Sequence, residues 1–446
     1  MTEVISQLSP EAITIIMFGV LAIGVLSGFP LAIPIGGVGV IVGYLLFGPS
    51  SFVLAYNRVH AQITDYGLMA VPLFVFMGSM LEKSGIANQM FYALYKWFGG
   101  FRGGLAIVTI IIGTIMAACV GIIAASITML TLVALPSMIR RGYDKSLATG
   151  TICAGGSLGI LIPPSIMLIV YGPAAGISVG KLFMAAFVPG IVLSISYIIY
   201  ISILCHLKPH LAPAVPLEER QGSFWEKTFL VIKVTLPTAL LILSVLGSIY
   251  FGIASPTEAA AVGAVVATLL TIAYRQFNME TLKDVCISTI KVSCMVLLIA
   301  SCSTTFVSSF LSAGGGGVIE RLVLGFPGGR WAVLALVMVI IFFLGMFIDW
   351  IGIIFIMVPI LAPIVPKLDF DPLWFAMMII VNLQMSFLTP PLAQAIFFLK
   401  GAAPDELDIK MSDIIKGVIP FIVIITVVLI IMVAFPQIAL WLPSKM

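Results

Sequence analysis

The chain has 446 residues, of which 61% are hydrophobic and only 9% are charged, and its mean hydropathy is +1.21. Soluble domains carry about 25% charged residues, so this composition excludes a water-soluble enzyme and indicates a chain solvated by lipid. The net charge of +3 is too small and too scattered to bind nucleic acid. At about 20 apolar residues for each helical crossing of a bilayer, the length allows about twelve membrane segments.

Apolar runs bounded by proline, glycine or charged residues predict the helices in chain order. We expect an all-α polytopic membrane protein with about eleven transmembrane helices. The runs lie at 11–29, 31–49, 66–82, 86–98, 104–139, 146–172, 181–207, 228–250, 257–275, 284–311, 331–366, 372–400 and 414–442.

Two of these runs, 104–139 and 331–366, are too long for one crossing and carry too little charge at their midpoints for two separate ones. Each is predicted to form a re-entrant hairpin. Small or polar residues mark the turns, at 119–126 in the first hairpin and at 345–352 in the second. Backbone freed at such a turn is tolerated only where it faces protein or a water-filled cavity.

An internal repeat relates the two halves of the chain. In the first half, the proline pair 163–164 interrupts the run 146–172. In the second half, the pair 390–391 interrupts the run 372–400, and the two pairs lie 227 residues apart. Each half therefore combines a predicted hairpin with a predicted broken helix that follows it.

The basic residues predict the orientation of the two halves, because Lys and Arg concentrate in cytoplasmic loops. In the arrangement that satisfies this rule best, the first hairpin enters from the cytoplasm, with Arg140 and Arg141 at its base, and the second enters from outside. The repeats are then inverted, an arrangement typical of secondary transporters. The basic residues left outside are Arg58, Lys181, Arg321, Arg330, Lys367 and Lys445.

The predicted organisation alternates scaffold segments with the two repeats. We expect the hairpins and broken helices to form a mobile transport domain that moves against the scaffold. The segments are N-terminal scaffold helices in 1–65, the first repeat in 66–205, a cytoplasmic connector in 206–222, further scaffold helices in 223–280 and the second repeat in 281–446.

Several sequence blocks, in order and over nearly the whole chain, resemble the large membrane subunit of tripartite ATP-independent periplasmic (TRAP) transporters. These blocks are VPLFVFMGSMLEKSG (71–85), RRGYDKSLATGTICAGGSLGILIPPSI (140–166), SPTEAAAVGA (255–264), FLGMFIDWIGIIFIMVPILAPI (343–364) and LTPPLAQAIF (388–397). One region departs from the family pattern: the first hairpin turn, ACVGIIAASIT (118–128), carries fewer hydroxyl groups than the same turn in many members.

This resemblance implies an elevator-type carrier of the ion-transporter superfamily, located in the inner membrane of a bacterium or archaeon and driven by a sodium gradient. It implies two protein partners: a small four-helix membrane subunit and a soluble periplasmic substrate-binding protein. The expected substrate is a small organic acid, and no organic cofactor is expected.

Asp349 is the only acid in the apolar run 331–366, and a charge at the bilayer centre costs at least about 2.5–3.5 kcal/mol without a partner or water. We predict that it binds sodium at the second hairpin tip, together with oxygens of Gly345 and of the break at Thr389 and Pro390. Two alternatives stay open, namely an interfacial acid that faces water and a carboxylate that couples transport to protons.

The first half offers an inverted counterpart of this ion site. The glycine-rich stretch that contains Gly156 and Ser157 precedes a proline pair, so several of its carbonyl groups cannot pair within a helix. With Gly121 and Ser126 of the first hairpin, these oxygens are candidate sodium ligands. Close packing of helices through small residues is the alternative explanation.

The substrate is expected between the two hairpin tips, where the amino termini of half-helices present N–H groups and positive dipole ends to a carboxylate. For each polar side chain near that place, a hydrogen bond between helices is the alternative role. The candidates are Ser126, Thr128, Asn382, Gln384, Ser386 and Gln394.

Three other functions compete with this one. A stand-alone anion and sodium symporter of the same superfamily would need no binding protein. An intramembrane enzyme would need a second catalytic group facing Asp349, and the sequence offers no clear acid, His or Cys for that role. A purely structural scaffold would not explain polar breaks at the depth of the membrane midplane.

Overall fold

The computed structural model describes residues 8–214 and 223–446, so part of the predicted connector, 215–222, lies outside the described residues. All regular elements in the described ranges are helices. Six of these helices are long and apolar enough to cross a membrane, or seven if a pair bent by 52° near residue 65 is one span. The prediction of an all-α polytopic membrane protein is confirmed, whereas the count of about eleven crossings stays a prediction.

In the first described range, helices α1–α10 span Pro10–Leu26, Ala32–Phe47, Ser50–Ile63, Ala70–Lys83, Ile86–Phe98, Gly104–Val120, Ile123–Arg140, Lys145–Ser157, Ile166–Ala175 and Val179–Leu207. In the second, helices α11–α20 span Phe224–Tyr250, Pro256–Ala273, Met279–Ser312, Gly315–Leu324, Gly329–Gly345, Trp350–Leu361, Pro372–Ser386, Gln394–Ala402, Met411–Ala434 and Gln437–Leu440.

Helices α4–α10 recur in the same order as α13–α19. Each series contains a hairpin of two helices (α6–α7 and α15–α16) followed by a broken helix (α8–α9 and α17–α18). Both breaks contain a cis peptide bond, Pro163–Pro164 in the first and Pro390–Pro391 in the second. The halves also pack reciprocally, because α7 contacts α18 as α16 contacts α9.

By their place in the repeats, the helices form two groups that also pack against each other, α13 against α16 and α4 against α6. The first group, which we call the inner body, consists of the two hairpins, the two broken helices and the helices α10 and α19 that follow them. The second group, which we call the outer frame, consists of α1–α4 and α11–α13. Two amphipathic helices, α5 and α14, lead from the frame into the hairpins, so the chain passes from one group to the other at equivalent points of the two halves.

The inner body is held together by backbone contacts between its halves. Gly150 of α8 and Gly417 of α19 face each other so closely that a Cβ on Gly150 would lie 2.1 Å from the carbonyl oxygen of Gly417. Two helices can approach this closely only where neither has a side chain, as is common between membrane helices. The two halves therefore form one packed unit.

Local sequence signals account for most helix ends. Ser255 and Glu258 form a capping box at the start of α12, in which the Glu258 carboxylate accepts a hydrogen bond from Ser255 N at 2.7 Å and Ser255 Oγ accepts one from Glu258 N at 3.3 Å. The predicted helix 414–442 is wrong beyond Ala434, where Phe435 and Pro436 end α19. Proline at that point lacks the N–H group that a continuing helix needs.

Helix α3 was not predicted. Its segment, Ser50–Ile63, is amphipathic, and polar residues such as Asn57, Arg58 and His60 interrupt the apolar run that a membrane helix would show. It packs against the long helix α13, so tertiary contact rather than continuous hydrophobicity stabilises it.

The close contact between α8 and α19 makes a prediction about stability. Gly150→Ala is expected to lower the free energy of unfolding by about 1–3 kcal/mol, because the added methyl group forces the two backbones apart. Thermal unfolding of the purified protein in detergent measures this as a lower midpoint. Gly247→Ala is the matched control, since nothing lies within 4 Å of the position of its Cβ; equal midpoints for the two variants would contradict the proposed contact.

Candidate functional site

The tip of the first hairpin lies on the break of the first broken helix. Helix α6 ends at Val120, Gly121 takes a left-handed conformation with φ +63°, and α7 begins at Ile123. A Cβ on Gly121 would lie 3.2 Å from the carbonyl oxygen of Pro164. Glycine is required here both by the positive φ and by this close approach.

The tip of the second hairpin carries Asp349, the half-buried acid that the sequence singled out. Asp349 is the N-cap of α16, and its Oδ2 accepts a hydrogen bond from Ile351 N at 3.4 Å. Its Oδ1 accepts a hydrogen bond from Nε2 of Gln394, the first residue of α18, at 2.8 Å. The amide of Leu392 donates to the carbonyl of Met346 at 3.2 Å. Three contacts therefore hold this tip, two of them to the break of the second broken helix.

A cavity of about 520 Å³ lies between the two tips and part of the outer frame. Its walls come from both hairpin tips, from both broken helices, from α13 and from the loop between α1 and α2, and they are mostly apolar. The lining residues are Pro30, Leu31, Ala32, Gly121, Ile122, Ile123, Ala124, Ile160, Ile166, Val292, Met295, Val296, Leu298, Ile299, Asp349, Trp350, Ile351, Gln394 and Phe398.

Four helices begin at this cavity. The first residues of α7, α9, α16 and α18 are Ile123, Ile166, Trp350 and Gln394, and all four line it. Only α16 has a side-chain cap, Asp349, whereas no side chain caps α7, α9 or α18. Each helix amino terminus carries roughly half a positive charge and N–H groups without helical partners. The four helix ends therefore contribute a positive potential to the cavity, and Asp349 is the one charged side chain among its described lining residues.

The two repeats meet at a hydrogen bond between equivalent residues. Gln384 Nε2 donates to Ser157 Oγ at 3.2 Å, and the two residues lie 227 positions apart, the spacing of the proline pairs. A contact between equivalent positions lies on the axis that relates the repeats. Both side chains are fully buried, so this axis passes through the centre of the inner body.

Two buried oxygens near the first hairpin and this axis have no hydrogen-bond partner among the described residues. They are Ser126 Oγ, in the first turn of α7, and Gln384 Oε1. Ser126 Oγ lies 3.3 Å from the position of a Cβ on Gly159, at the start of the first break. Buried polar atoms are almost always paired, so the lone pairs of these two oxygens are open to a ligand or a water molecule.

The other predicted ion ligands have mixed surroundings. A Cβ on Gly156 would lie 2.3 Å from Ile127 Cγ1, and one on Gly345 would lie 2.5 Å from Ser386 Cβ, so both glycines permit close helix packing. Thr389 Oγ1 donates to the carbonyl of Met385 at 2.9 Å. Pro390 is exposed. As ion ligands, these four residues stay predictions.

Of the predicted substrate residues, the structure brings Gln394 to the cavity. Asn382 Nδ2 donates to the carbonyl of Met338 at 2.7 Å, and Ser386 Oγ donates to the carbonyl of Phe342 at 3.2 Å. These two side chains attach α17 to α15, and neither lines the cavity within the described part of the chain. Thr128 is half-buried on α7 and also lies outside the lining.

Sequence reasoning missed the apolar walls of the cavity. Ile122, Ile160 and the α13 face at Val292–Ile299 are hydrophobic residues in a hydrophobic chain, and nothing in their type distinguishes them. The 227-residue spacing aligns α13 with α4, the helix before α5 and the first hairpin, but it does not indicate which face of α13 meets a cavity.

Paired hairpins, paired broken helices and a cavity at their meeting point define a secondary transporter with inverted repeats. Comparison with known proteins supports this class. The structure of the Alcanivorax borkumensis YdaH transporter superimposes with a TM-score of 0.66 at 14% sequence identity, covering 96% of this chain and 99% of that one, which shows a shared fold.

The family model for the DctM component of tripartite ATP-independent periplasmic transporters matches residues 15–438. The C4-dicarboxylate TRAP transporter large permease protein DctM of Pseudomonas aeruginosa is 30% identical over 402 residues, covering 90% of this chain and 91% of that protein. The isethionate TRAP transporter permease protein DctMQ of Oleidesulfovibrio alaskensis is 29% identical, covering 96% of this chain and 66% of that protein. This chain belongs to the DctM family, and it is a multi-pass permease component of the inner membrane rather than an enzyme.

The hydrogen bond on the repeat axis makes a testable prediction. Ser157→Ala is expected to lower the free energy of unfolding by about 1–3 kcal/mol, because it leaves a buried donor of Gln384 without a partner. Thermal unfolding in detergent measures the change. Ser196→Ala is the control, since Ser196 Oγ bonds only within its own helix, to Val192 O at 2.8 Å.

A double-mutant cycle distinguishes the pair from general destabilisation. Ser157→Ala combined with Gln384→Leu is expected to cost less than the sum of the two single changes. Strict additivity would contradict a direct interaction between the two repeats at this point.

Proposed function

We propose that this chain is the large permease subunit of a sodium-coupled transporter that imports a small organic acid by an elevator movement, supplied by a periplasmic binding protein. One observation carries the proposal: four helix amino termini and one carboxylate converge on a cavity between the inner body and the frame. The substrate class, the coupling ion and the movement each follow from a different part of this arrangement.

An organic anion suits the cavity because of its helix ends. An anion near a helix amino terminus gains about 0.3–1 kcal/mol at an exposed site and up to about 2 kcal/mol at a partly buried one. At roughly half a positive charge each, four such ends together would balance the two negative charges of a dicarboxylate. The relatives in Pseudomonas aeruginosa and Oleidesulfovibrio alaskensis are named for a C4-dicarboxylate and for isethionate, and both of these are organic anions.

A cation is needed because Asp349 lines the same cavity. An ionised carboxylate would repel an organic anion there, and a bound sodium ion removes that repulsion. Sodium prefers oxygen ligands, which Asp349 provides at the second tip. Ser126 Oγ near the first tip and Gln384 Oε1 on the repeat axis are buried oxygens without partners among the described residues, and we propose that they serve a second ion site.

The elevator movement is proposed from the division of the helices. The cavity has the inner body on one side and α13 of the frame on the other, so sliding of one group past the other would carry its contents. The amphipathic helices α5 and α14 connect the two groups at equivalent points. Alternating access by rigid movement of one bundle against another is the usual mechanism for inverted repeats.

Two protein partners complete the proposal. The relative from Oleidesulfovibrio alaskensis is named as a DctMQ permease, and this chain spans 66% of it, which leaves room there for a further subunit. We propose that a separate small four-helix subunit docks on the frame and that a periplasmic substrate-binding protein delivers the organic acid. A stand-alone symporter, active without a binding protein, is the competing function.

Uptake into proteoliposomes tests the proposal. The labelled acid is chosen first, from a panel of carboxylates and sulfonates, by the thermal shift that each causes in the candidate binding protein. The acid and the binding protein are then added outside vesicles that contain the chain and its candidate small subunit. An inward sodium gradient is expected to raise uptake, and Asp349→Asn is expected to reduce the sodium-driven part at least tenfold, about 1.4 kcal/mol.

The control is Asp371→Asn. Asp371 caps α17 by accepting hydrogen bonds from Leu373 N at 2.8 Å and Trp374 N at 3.0 Å, and asparagine also caps helices well. If Asp349 acted only as a helix cap, Asp349→Asn and Asp371→Asn would change sodium-driven uptake to the same extent.

Uptake that does not depend on sodium would contradict the proposed coupling. Uptake without a binding protein would favour the stand-alone symporter.

A further inference from the structure

An apolar groove of about 510 Å³ opens on the outer surface of the second repeat, away from the cavity between the tips. It lies between α15, α17 and α19. Its one amide side chain, Asn382, already donates to a backbone carbonyl, so the groove offers hydrocarbon contact rather than polar recognition. The residues that shape it include Trp331, Leu334, Met338, Met378, Leu429 and Val433.

The groove runs along the helices. The α15 residues that line it extend from Trp331 to Phe342, a length of about 16 Å at 1.5 Å per residue. The hydrocarbon core of a bilayer is about 30 Å thick, so the groove is as long as one leaflet. An acyl chain in a bilayer also runs along the membrane helices and spans about one leaflet, so it matches the groove in direction and in length.

A cationic and aromatic cluster marks one end of the groove. The Arg330 guanidinium lies 5.2 Å from the ring centroid of Trp331 and 5.7 Å from that of Phe370. Arg330 is exposed and takes part in none of the ion pairs found among the described residues. Aromatic and basic side chains at the end of membrane helices lie at the level of lipid headgroups, so this arginine is available to a phosphate.

The first repeat carries a related groove at the equivalent place. It has a volume of about 620 Å³ and lies between the start of α6 and the end of α10. Ile107 and His206 there correspond, at the spacing of 227, to Leu334 and Val433 of the other groove. Its end also carries an exposed aromatic residue and an exposed arginine, Phe101 and Arg102. The first groove thus lies at the equivalent place, but its described lining is shorter and more polar, with Ile107 on α6 and Ser202–Leu207 on α10.

We propose that each groove binds one anionic phospholipid, with the acyl chain in the groove and the phosphate paired to the arginine at its end, Arg102 in the first repeat and Arg330 in the second. Because the repeats are expected to be inverted, one lipid belongs to each leaflet. Both grooves lie on the inner body, so the two lipids would stay with it when it moves. This inference needs only a membrane around the chain and does not depend on the coupling ion.

Native mass spectrometry of the purified chain tests the proposal. Delipidated protein is titrated with phosphatidylglycerol and, in parallel, with phosphatidylcholine, which has the same chains and no net charge. Wild type is expected to retain two phosphatidylglycerol molecules. Arg102→Gln and Arg330→Gln are each expected to weaken one of the two sites about fivefold, as one basic residue near an anionic surface does, and the double variant to weaken both.

Arg58→Gln is the matched control, because Arg58 is an exposed arginine of α3 and lines neither groove. An equal loss of lipid in this variant would show general attraction to basic residues and overturn the proposal. Equal retention of phosphatidylcholine by wild type would overturn the role of the two arginines.

A groove-filling variant tests the acyl chain separately. Ala335 is exposed and lines the second groove, and Ala335→Phe is expected to remove one bound phosphatidylglycerol while Arg330 stays in place. Thermal unfolding confirms that the variant is folded. Displacement of the lipid by glycerol phosphate alone would show a site for free phosphate, and a change of oligomeric state in Ala335→Phe would show that a second copy covers the groove; either result would contradict the proposal.

Discussion

The structure depends on one constraint: a helix that begins inside a membrane leaves N–H groups that water cannot reach. Each unpaired group of this kind costs several kcal/mol in hydrocarbon. In this chain four helices begin at one place, and three of them have no side-chain cap. In α18 the chain itself pairs some of these groups, since Ala395 N donates to the carbonyl of Phe387 and Ile396 N to that of Ala393; for the groups that stay open, we propose an anionic ligand in the shared cavity. The hairpins, the proline breaks and the packing of the two halves all serve to bring these ends together.

The two halves are alike in backbone and different in charge. Asp349 at the second tip corresponds, at a spacing of 227, to Ile122 at the first, and both are the N-cap of the following helix. The second tip thus supplies its own negative charge, whereas the first leaves its helix end open. This single acid makes the two tips chemically different, which is the basis on which we propose separate places for a cation and for an anion in the cavity.

Much of the fold could be predicted because its signals are local. Proline pairs, glycine turns and the length of apolar runs indicated the hairpins and the broken helices, and the 227-residue spacing indicated the repeat. Helix α3 was missed because it is amphipathic and depends on contact with α13. The end of the last long run was wrong because an apolar run continues past Pro436, where the helix does not.

The site could be predicted only in part. Asp349 was found because an isolated acid in an apolar run is conspicuous. Its hydrogen bond to Gln394 joins residues 45 positions apart, and the one between Ser157 and Gln384 joins residues 227 positions apart; no periodicity shows such contacts. Asn382 and Ser386 appeared in the same polar segment as Gln384, yet α15 occupies their polar groups. Which face of a buried helix meets a cavity is decided by tertiary packing.

Equilibrium binding tests the central claim most directly, namely that Asp349 lets the four helix ends accept an organic anion only with a cation present. Binding of a labelled organic acid to the purified chain is measured over a range of sodium concentrations, and sodium binding over a range of acid concentrations. The account predicts that each raises the affinity for the other by the same factor, as linkage requires, and that Asp349→Asn lowers this factor. An affinity for the acid that is independent of sodium in the wild type would contradict it.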